Sequence, residues 1–255
     1  ISFYDDTQSS FTNFAMSGID KRYMGLELGL SVPIAWGLSL QGAVSLGDYI
    51  YTSNPEFTQM IDNSATDVVH SRVNWKGMKV ESTPQTAINV GLNFRGPNNW
   101  FASVDFNYYD RLYLSMNPMY RTEYLANEIK RIYDWNNLET GRQKAYVVGI
   151  IDEIRQQEDL GNAYTLSASI GKNFRIKYKY TLGFSLQVNN ILNNQRIRTG
   201  GYEQMRLNKL SDPIIFPNAD GEMVITKKPT TYSRFDSKYF YMNGINYYLN
   251  IYFRF

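Results

Sequence analysis

The chain has 255 residues, 26 basic against 24 acidic, with one His and no Cys. A net charge of +2 leaves no electrostatic footprint for nucleic acid, and the lack of Cys excludes disulfide staples, thiol catalysis and cysteine metal sites. No apolar run reaches the roughly 18 to 20 residues of a membrane helix; a mean hydropathy of -0.41 would ordinarily mark a soluble chain, but a membrane β-barrel escapes that inference because only alternate residues of each strand face lipid.

Tyr is the informative excess, 21 residues beside 14 Phe. Its ring suits boundaries where one end is apolar and the other wet, membrane interfaces among them. No signal peptide is visible, and the chain opens on Ile1-Ser2-Phe3-Tyr4, which reads as the end of a strand in a piece of a longer polypeptide. From Tyr23 to Val32 the set Met24, Leu26, Leu28, Leu30, Val32 alternates with Gly25, Glu27, Gly29, Ser31. Successive strand side chains point to opposite faces, so this pattern predicts a strand with one apolar face. A Pro-containing turn, Pro33 to Gly37, leads to a second such strand through Leu38, Leu40, Val44 and Leu46. Both reach the roughly 9 to 11 residues of a membrane strand.

Thr52 to Thr83 breaks the alternation and reads as a loop. Alternation resumes over Thr86 to Phe94, turns at Gly96-Pro97-Asn98-Asn99, and continues through Ala102, Val104, Phe106 and Tyr108 toward Leu114. Met116 to Asn162 is the longest connection, with amphipathic helices predicted near Glu123 to Tyr133 and Gln143 to Gln157. Tyr164 to Ile170 and Leu182 to Val188 form a further strand pair about a short turn near Lys177 to Lys179. A third long loop, Asn193 to Lys238, carries a predicted hairpin of Ile214-Ile215-Phe216 with Met223-Val224-Ile225 about Asp220-Gly221. The last stretch sets Tyr247, Leu249, Ile251, Phe253 and Phe255 against Tyr248, Asn250, Tyr252 and Arg254, and stops on an aromatic residue.

Connections therefore alternate short and long, as in bacterial outer-membrane barrels, whose periplasmic turns are short and extracellular loops long. All 8 Pro can be placed in or beside turns and loops, as expected where proline cannot donate to a ladder. The expected fold is all-β: an antiparallel transmembrane β-barrel segment of about seven or eight strands. A complete eight-stranded barrel is one option. The other, preferred here, is the C-terminal part of a larger barrel, because an eight-stranded interior is filled by side chains and would carry such loops awkwardly.

Several stretches, in order, resemble the TonB-dependent outer-membrane receptors of Bacteroidota, near the SusC-like transporters. They are Ser82-Thr83-Pro84-Gln85-Thr86-Ala87 with Asn93-Phe94-Arg95-Gly96-Pro97 and Trp100-Phe101; Gln156-Gln157-Glu158-Asp159-Leu160 before Ala163-Tyr164-Thr165-Leu166; Val188-Asn189-Asn190-Ile191-Leu192-Asn193; Thr199-Gly200-Gly201-Tyr202-Glu203-Gln204; and Asn246 through Phe255. The resemblance implies a barrel of about 22 strands around an N-terminal plug. On this reading residues 1–255 belong wholly to the C-terminal part of the barrel and hold no plug. It further implies the cell outer membrane as location, uptake of a bulky nutrient (oligosaccharide, peptide or metal chelate), and as partners the chain's own plug and remaining strands, the TonB complex through that plug, the barrel-assembly machinery, outer-membrane lipid and a surface lipoprotein lid. Tyr247, Leu249, Ile251, Phe253 and Phe255 would form the barrel-assembly signal. The competing reading is a passive pore or a surface-binding barrel without energised transport.

Chemical motifs are sparse. His70 has no partner at ligand spacing in the sequence, and there is no phosphate loop, nucleophile elbow or HExxH. No enzymatic activity, cofactor or resident metal is expected. Asp62, Asn63 and Asp67, and likewise Asn218, Asp220 and Glu222, offer loop oxygens to Ca²⁺, with ordinary turn chemistry as the alternative. Lys227-Lys228 reads as a solvated face. Tyr109, Arg111 and Tyr113, at the outer end of their strand, are the candidate substrate contacts. Trp75 and Trp135, with Tyr120 and Tyr133, are candidates for stacking on sugar or peptide, against loop packing.

Overall fold

The computed structural model of the chain describes all residues except 1, 6–9, 63, 65–67, 178, 206, 211–213, 219 and 227–230. Seven strands form one antiparallel sheet in chain order: β1 (Lys21–Ala35), β2 (Leu38–Tyr51), β3 (Thr86–Arg95), β4 (Trp100–Asp110), β5 (Ala163–Ile176), β6 (Tyr180–Asn189) and β7 (Asn246–Arg254). Each pairs only with its neighbours along the chain, so the sheet is a meander. It stays open, with β1 and β7 as its two edges.

The register keeps like residues together across all seven strands. Val32, Leu40, Leu92, Val104, Ala168, Val188 and Tyr247 form one cross-strand row. The adjacent row, on the other face, is Pro33, Ser39, Asn93, Ser103, Ser169, Gln187 and Tyr248. One face is thus apolar and the other polar. Among the described residues nothing covers the apolar face: Leu28 on β1 is 64% exposed, Val104 on the central β4 46%, and Ile251 on β7 66%. The two faces are not stacked sheets hiding a common core.

The short turns have local causes. Trp36 and Gly37 both take left-handed φ, 47° and 80°, the pattern of the tight hairpin turn that matches strand twist. A Cβ on Gly37 would lie 1.9 Å from the Arg95 carbonyl oxygen, so only glycine fits there. Pro33 is not in this turn, contrary to the sequence reading. It lies within β1, next to a register shift between Pro33 and Ala35, on an edge strand where proline is tolerated. Nor does β4 run on to Leu114; it ends at Asp110 because Arg111 turns to φ 55°.

The long connections share the opposite end and fold into a cap. The first is not only a loop: Glu56–Ile61 and Val68–Arg72 are strands, and with Ser10–Ser17 and Ser2–Asp5 they make a four-stranded sheet. The strand fragment at the start of the chain therefore pairs in the cap and is not an eighth wall strand; Ile1 lies outside the described residues. The second connection holds α1 (Glu123–Ile132), capped by the Thr122 hydroxyl, and α2 (Gly141–Arg155), opened by a reciprocal Thr140–Gln143 capping box. Leu125 and Ile129 of α1 meet Val147, Ile151 and Ile154 of α2 in a core completed by Phe57, Val73, Trp75, Met119 and Tyr120. The third connection is a long hairpin ladder. Arg198–Tyr202 pairs with Lys238–Tyr241, Leu207–Leu210 with Thr231–Arg234, and Ile214–Pro217 with Met223–Thr226. The buried core of the molecule is in the cap, not on the wall.

Candidate functional site

The polar face of the wall carries a lattice of neutral hydrogen-bonding groups. Asn89 Nδ2 donates to Asn107 Oδ1 at 2.9 Å, the Ser103 and Ser169 hydroxyls meet at 2.9 Å, and the Tyr252 hydroxyl donates to Asn173 Oδ1 at 2.7 Å. Near the cap, Glu27, Ser45, Ala87 and Tyr109 share one cross-strand row and line an open groove of about 430 Å³ with Asn89 and Asn107. A second, larger groove of about 830 Å³ lies toward the short turns, among Ser39, Gln41, Asn93, Ser103, Ser169 and Asn173.

The cap is tied to itself through the short segment Gln156 to Leu160. Its centre is Glu203, buried with Arg121. Arg121 donates from both terminal nitrogens, Nη1 to Oε2 at 2.5 Å and Nη2 to Oε1 at 2.8 Å, and Arg234 Nη2 donates to Oε1 at 2.7 Å. Such a two-pronged geometry is the strong form of this contact. The Asn117 backbone N–H adds a further bond to Oε2 at 2.7 Å. Both arginines also donate to the Gln156 carbonyl, at 3.0 and 2.8 Å. Gln157 then exchanges two hydrogen bonds with the Lys79 backbone, at 2.8 and 2.7 Å. Glu158 accepts from Arg198 at 3.2 Å and from the Tyr239 hydroxyl at 2.5 Å. One segment thereby joins all three long connections. Beside it is a cavity of about 480 Å³ lined by Gln157, Glu158, Asp159, Arg234, Asp236 and Tyr239. Burial, and then the neighbouring Glu158 carboxylate, hold the Tyr239 hydroxyl above the usual tyrosine range.

The five candidate contacts occupy different surroundings. Tyr109 faces the upper groove of the wall. Arg111 is committed to the protein: Nε donates to the Thr86 hydroxyl at 2.9 Å and Nη2 to the Gln85 carbonyl at 2.8 Å. Tyr113 bridges to Asp159 at the foot of the cap. Trp75 is 7% exposed and packs on the Tyr51 ring at 4.6 Å. Trp135 packs against the cap core beneath the ammonium groups of Lys130 and Lys144, 5.2 and 5.9 Å from its ring. Tyr120 and Tyr133 are also buried in that core. Of these seven aromatic or basic candidates, Tyr109 is the one on a groove of the wall; it is half-buried, as are Arg111, Tyr113 and Trp135.

Asn218, Asp220 and Glu222 form the tip of the cap hairpin. Asn218 Oδ1 accepts from the Glu222 N–H at 2.8 Å, which is turn chemistry. Asn63 and Asp67 lie outside the described residues, as do Lys227 and Lys228. His70 lies on a cap strand with its Nδ1 3.1 Å from the Thr58 hydroxyl, and among the described residues no group of three His, Asp or Glu converges as a metal site would require.

Sequence reasoning did not single out Arg121 or Arg234. It placed Glu203 and the Gln156 to Leu160 stretch in the resemblance, without a role. Gln85 and Asn190 likewise stand in resembling stretches, and both are buried beyond a wall strand's end: Gln85 Nε2 donates to the Tyr49 carbonyl at 3.0 Å, and Asn190 Nδ2 to the Asn243 carbonyl at 2.9 Å. A buried amide at a strand-to-loop junction was the available signal. No protein-family model matches the chain, and no curated protein matches it.

Proposed function

We propose that this chain is part of the wall and the outward-facing cap of an outer-membrane barrel that takes up a bulky nutrient, an oligosaccharide, peptide or metal chelate, with TonB supplying energy through a plug outside these residues. The observation that carries the reading is the uncovered apolar face. Seven paired strands present Leu, Ile, Val and Phe outward from edge to edge, an area far beyond the isolated patches that water-soluble surfaces keep. Lipid is the solvent in which such a face is stable, provided every backbone group is paired, and a closed barrel is the β-structure that meets this condition. The free edges β1 and β7 would then pair with further strands of the same barrel.

The arrangement at right angles to the sheet supports transport. The polar face offers amides and hydroxyls that bind water and polar solutes, with the carboxylates of Glu27 and Asp105 and, toward the short turns, Arg95, Arg175 and Arg254 set among them. All long connections gather at one end, where Tyr109, Glu27 and the cap cavity supply hydrogen-bonding and ring surfaces for capture. The reading assigns the chain no catalytic step. Accumulation of labelled oligosaccharide or peptide in cells with and without TonB tests it: uptake should fall to background without TonB. Equal accumulation in both would favour the passive or surface-binding barrel.

A further inference from the structure

Charge is unevenly placed along the wall. The short-turn end is built from residues 31–40, 93–102, 171–183 and 250–255. These stretches contain Arg95, Lys172, Arg175, Lys177, Lys179 and Arg254 and no Asp or Glu. Five of the six cations are exposed and Lys172 is half-buried. None has an acidic partner among the described residues. The opposite end of the wall does carry acid: Asp48, on the outward face, is held by Arg22 at 3.2 Å and Lys79 at 2.7 Å.

The basic end is also an aromatic one. Lys172 points from the apolar face of β5, with its ammonium 4.7 Å from the Trp100 ring and 4.9 Å from the Phe174 ring. Lys179 stands 5.4 Å over Tyr180. Trp36, in the turn between β1 and β2, is 95% exposed. A lysine whose stem crosses apolar surface while its ammonium reaches the margin is the arrangement found at a lipid boundary, and aromatic rings collect at the same depth. A rim facing only water has no reason to exclude acids; one facing a dense layer of negative charge does.

We propose that this rim docks anionic phospholipid headgroups, with Lys172, Lys177 and Lys179 taking the phosphates and Trp36 and Trp100 at the level of the upper acyl chain. The inference rests on the membrane reading above. Arg95, Arg175 and Arg254 extend from the polar-face positions of their strands and add to the field without touching the same lipids. Each basic side chain near an anionic surface strengthens the attraction roughly fivefold.

The test uses the full-length protein reconstituted in mixed phosphatidylcholine and phosphatidylglycerol bilayers, with one lipid or the other carrying brominated chains that quench tryptophan. The signal of Trp36 and Trp100 is the difference between the protein and its Trp36→Phe, Trp100→Phe variant. At low salt, brominated phosphatidylglycerol should quench roughly threefold more than the same fraction of brominated phosphatidylcholine. The preference should vanish in the Lys172→Gln, Lys177→Gln, Lys179→Gln variant, and in about 1 M salt, where screening acts within roughly 3 Å. Strong but equal quenching by both lipids overturns the proposal and leaves the membrane reading standing. A preference that survives the triple substitution also overturns it, by placing the lipid contact elsewhere. No quenching by either lipid sinks the membrane reading and this inference together.

Discussion

Glu203 and Arg121 are the residues on which the cap depends. Both side chains are removed from water; Glu203 balances the charge of Arg121 and also accepts from Arg234, which keeps access to solvent. A buried pair of this kind adds little over an apolar substitute, but breaking it strands a charge at a cost of about 3 to 5 kcal/mol. Glu203→Gln should therefore loosen the cap, seen as faster proteolysis within the long connections, while the wall strands stay protected. Replacing the pair together, Glu203→Leu with Arg121→Met, should do less damage than Glu203→Gln alone; a double variant worse than the single one would contradict this account. The cap tyrosines set a pH limit in the same region. Burial raises Tyr120 and Tyr113, and burial with Glu158 raises Tyr239, above the ordinary value. A raised value means the folded state prefers the protonated form, so this contribution is intact below about pH 10 and is lost as pH climbs through the raised values. Absorbance at 295 nm should show these phenols ionising after the exposed ones, with cap proteolysis rising in the same alkaline range.

At the scale of elements, alternation carried most of the information. A strand with one apolar and one polar face repeats with period two, and β1 through β7 do so over most of their length, broken on the apolar face by Asp48 and Lys172, so their positions were legible to within a few residues. In the cap, the hairpin of Ile214–Pro217 with Met223–Thr226 was legible from its turn residues, but the strands Ser10–Ser17 and Glu56–Ile61 were not, because their burial runs against polarity. In Ser10–Ser17 and Glu56–Ile61 the buried positions include Thr12 and Gln59, while Phe11 and Met60 face out. A pattern search for apolar alternation passes over such a strand. The helices were legible from spacing, since α2 buries Val147, Ile151 and Ile154 at helical intervals. The knot at Gln156 to Leu160 was not, because its partners Lys79, Glu203 and Arg234 are distant in sequence and follow no local rule. The two faces of β3 give a direct comparison. Val90→Arg puts a charge on the uncovered face and should cost about 2 to 4 kcal/mol in a bilayer if the site is near its middle. Asn89→Arg, one residue away on the polar face, loses one hydrogen bond worth about 1 kcal/mol. On the proposed barrel reading, urea unfolding of the whole barrel in bilayers separates them, and similar midpoints for the two variants would mean that the apolar face does not meet lipid.

The whole molecule combines a water-stable half and a half that is not. The cap has a packed core, capped helices and a buried ion network; the wall has paired strands, an uncovered apolar face and two unpaired edges. An edge strand exposes a row of N–H and C=O groups that recruits other chains in water and costs several kcal/mol per unpaired group in hydrocarbon. Neither solvent therefore suits these 255 residues in isolation. Produced alone, the chain should self-associate in buffer, and detergent should cover the apolar face without relieving β1 and β7. Size-exclusion chromatography in detergent should give broad, concentration-dependent oligomers that keep strand content by circular dichroism. On the proposed barrel reading, supplying further strands for β1 and β7 to pair with should give a discrete species. A sharp monomer of the isolated chain in detergent-free buffer would mean that the exposed Leu, Ile and Phe have found cover within the chain, and would remove the physical ground for placing the wall in a membrane.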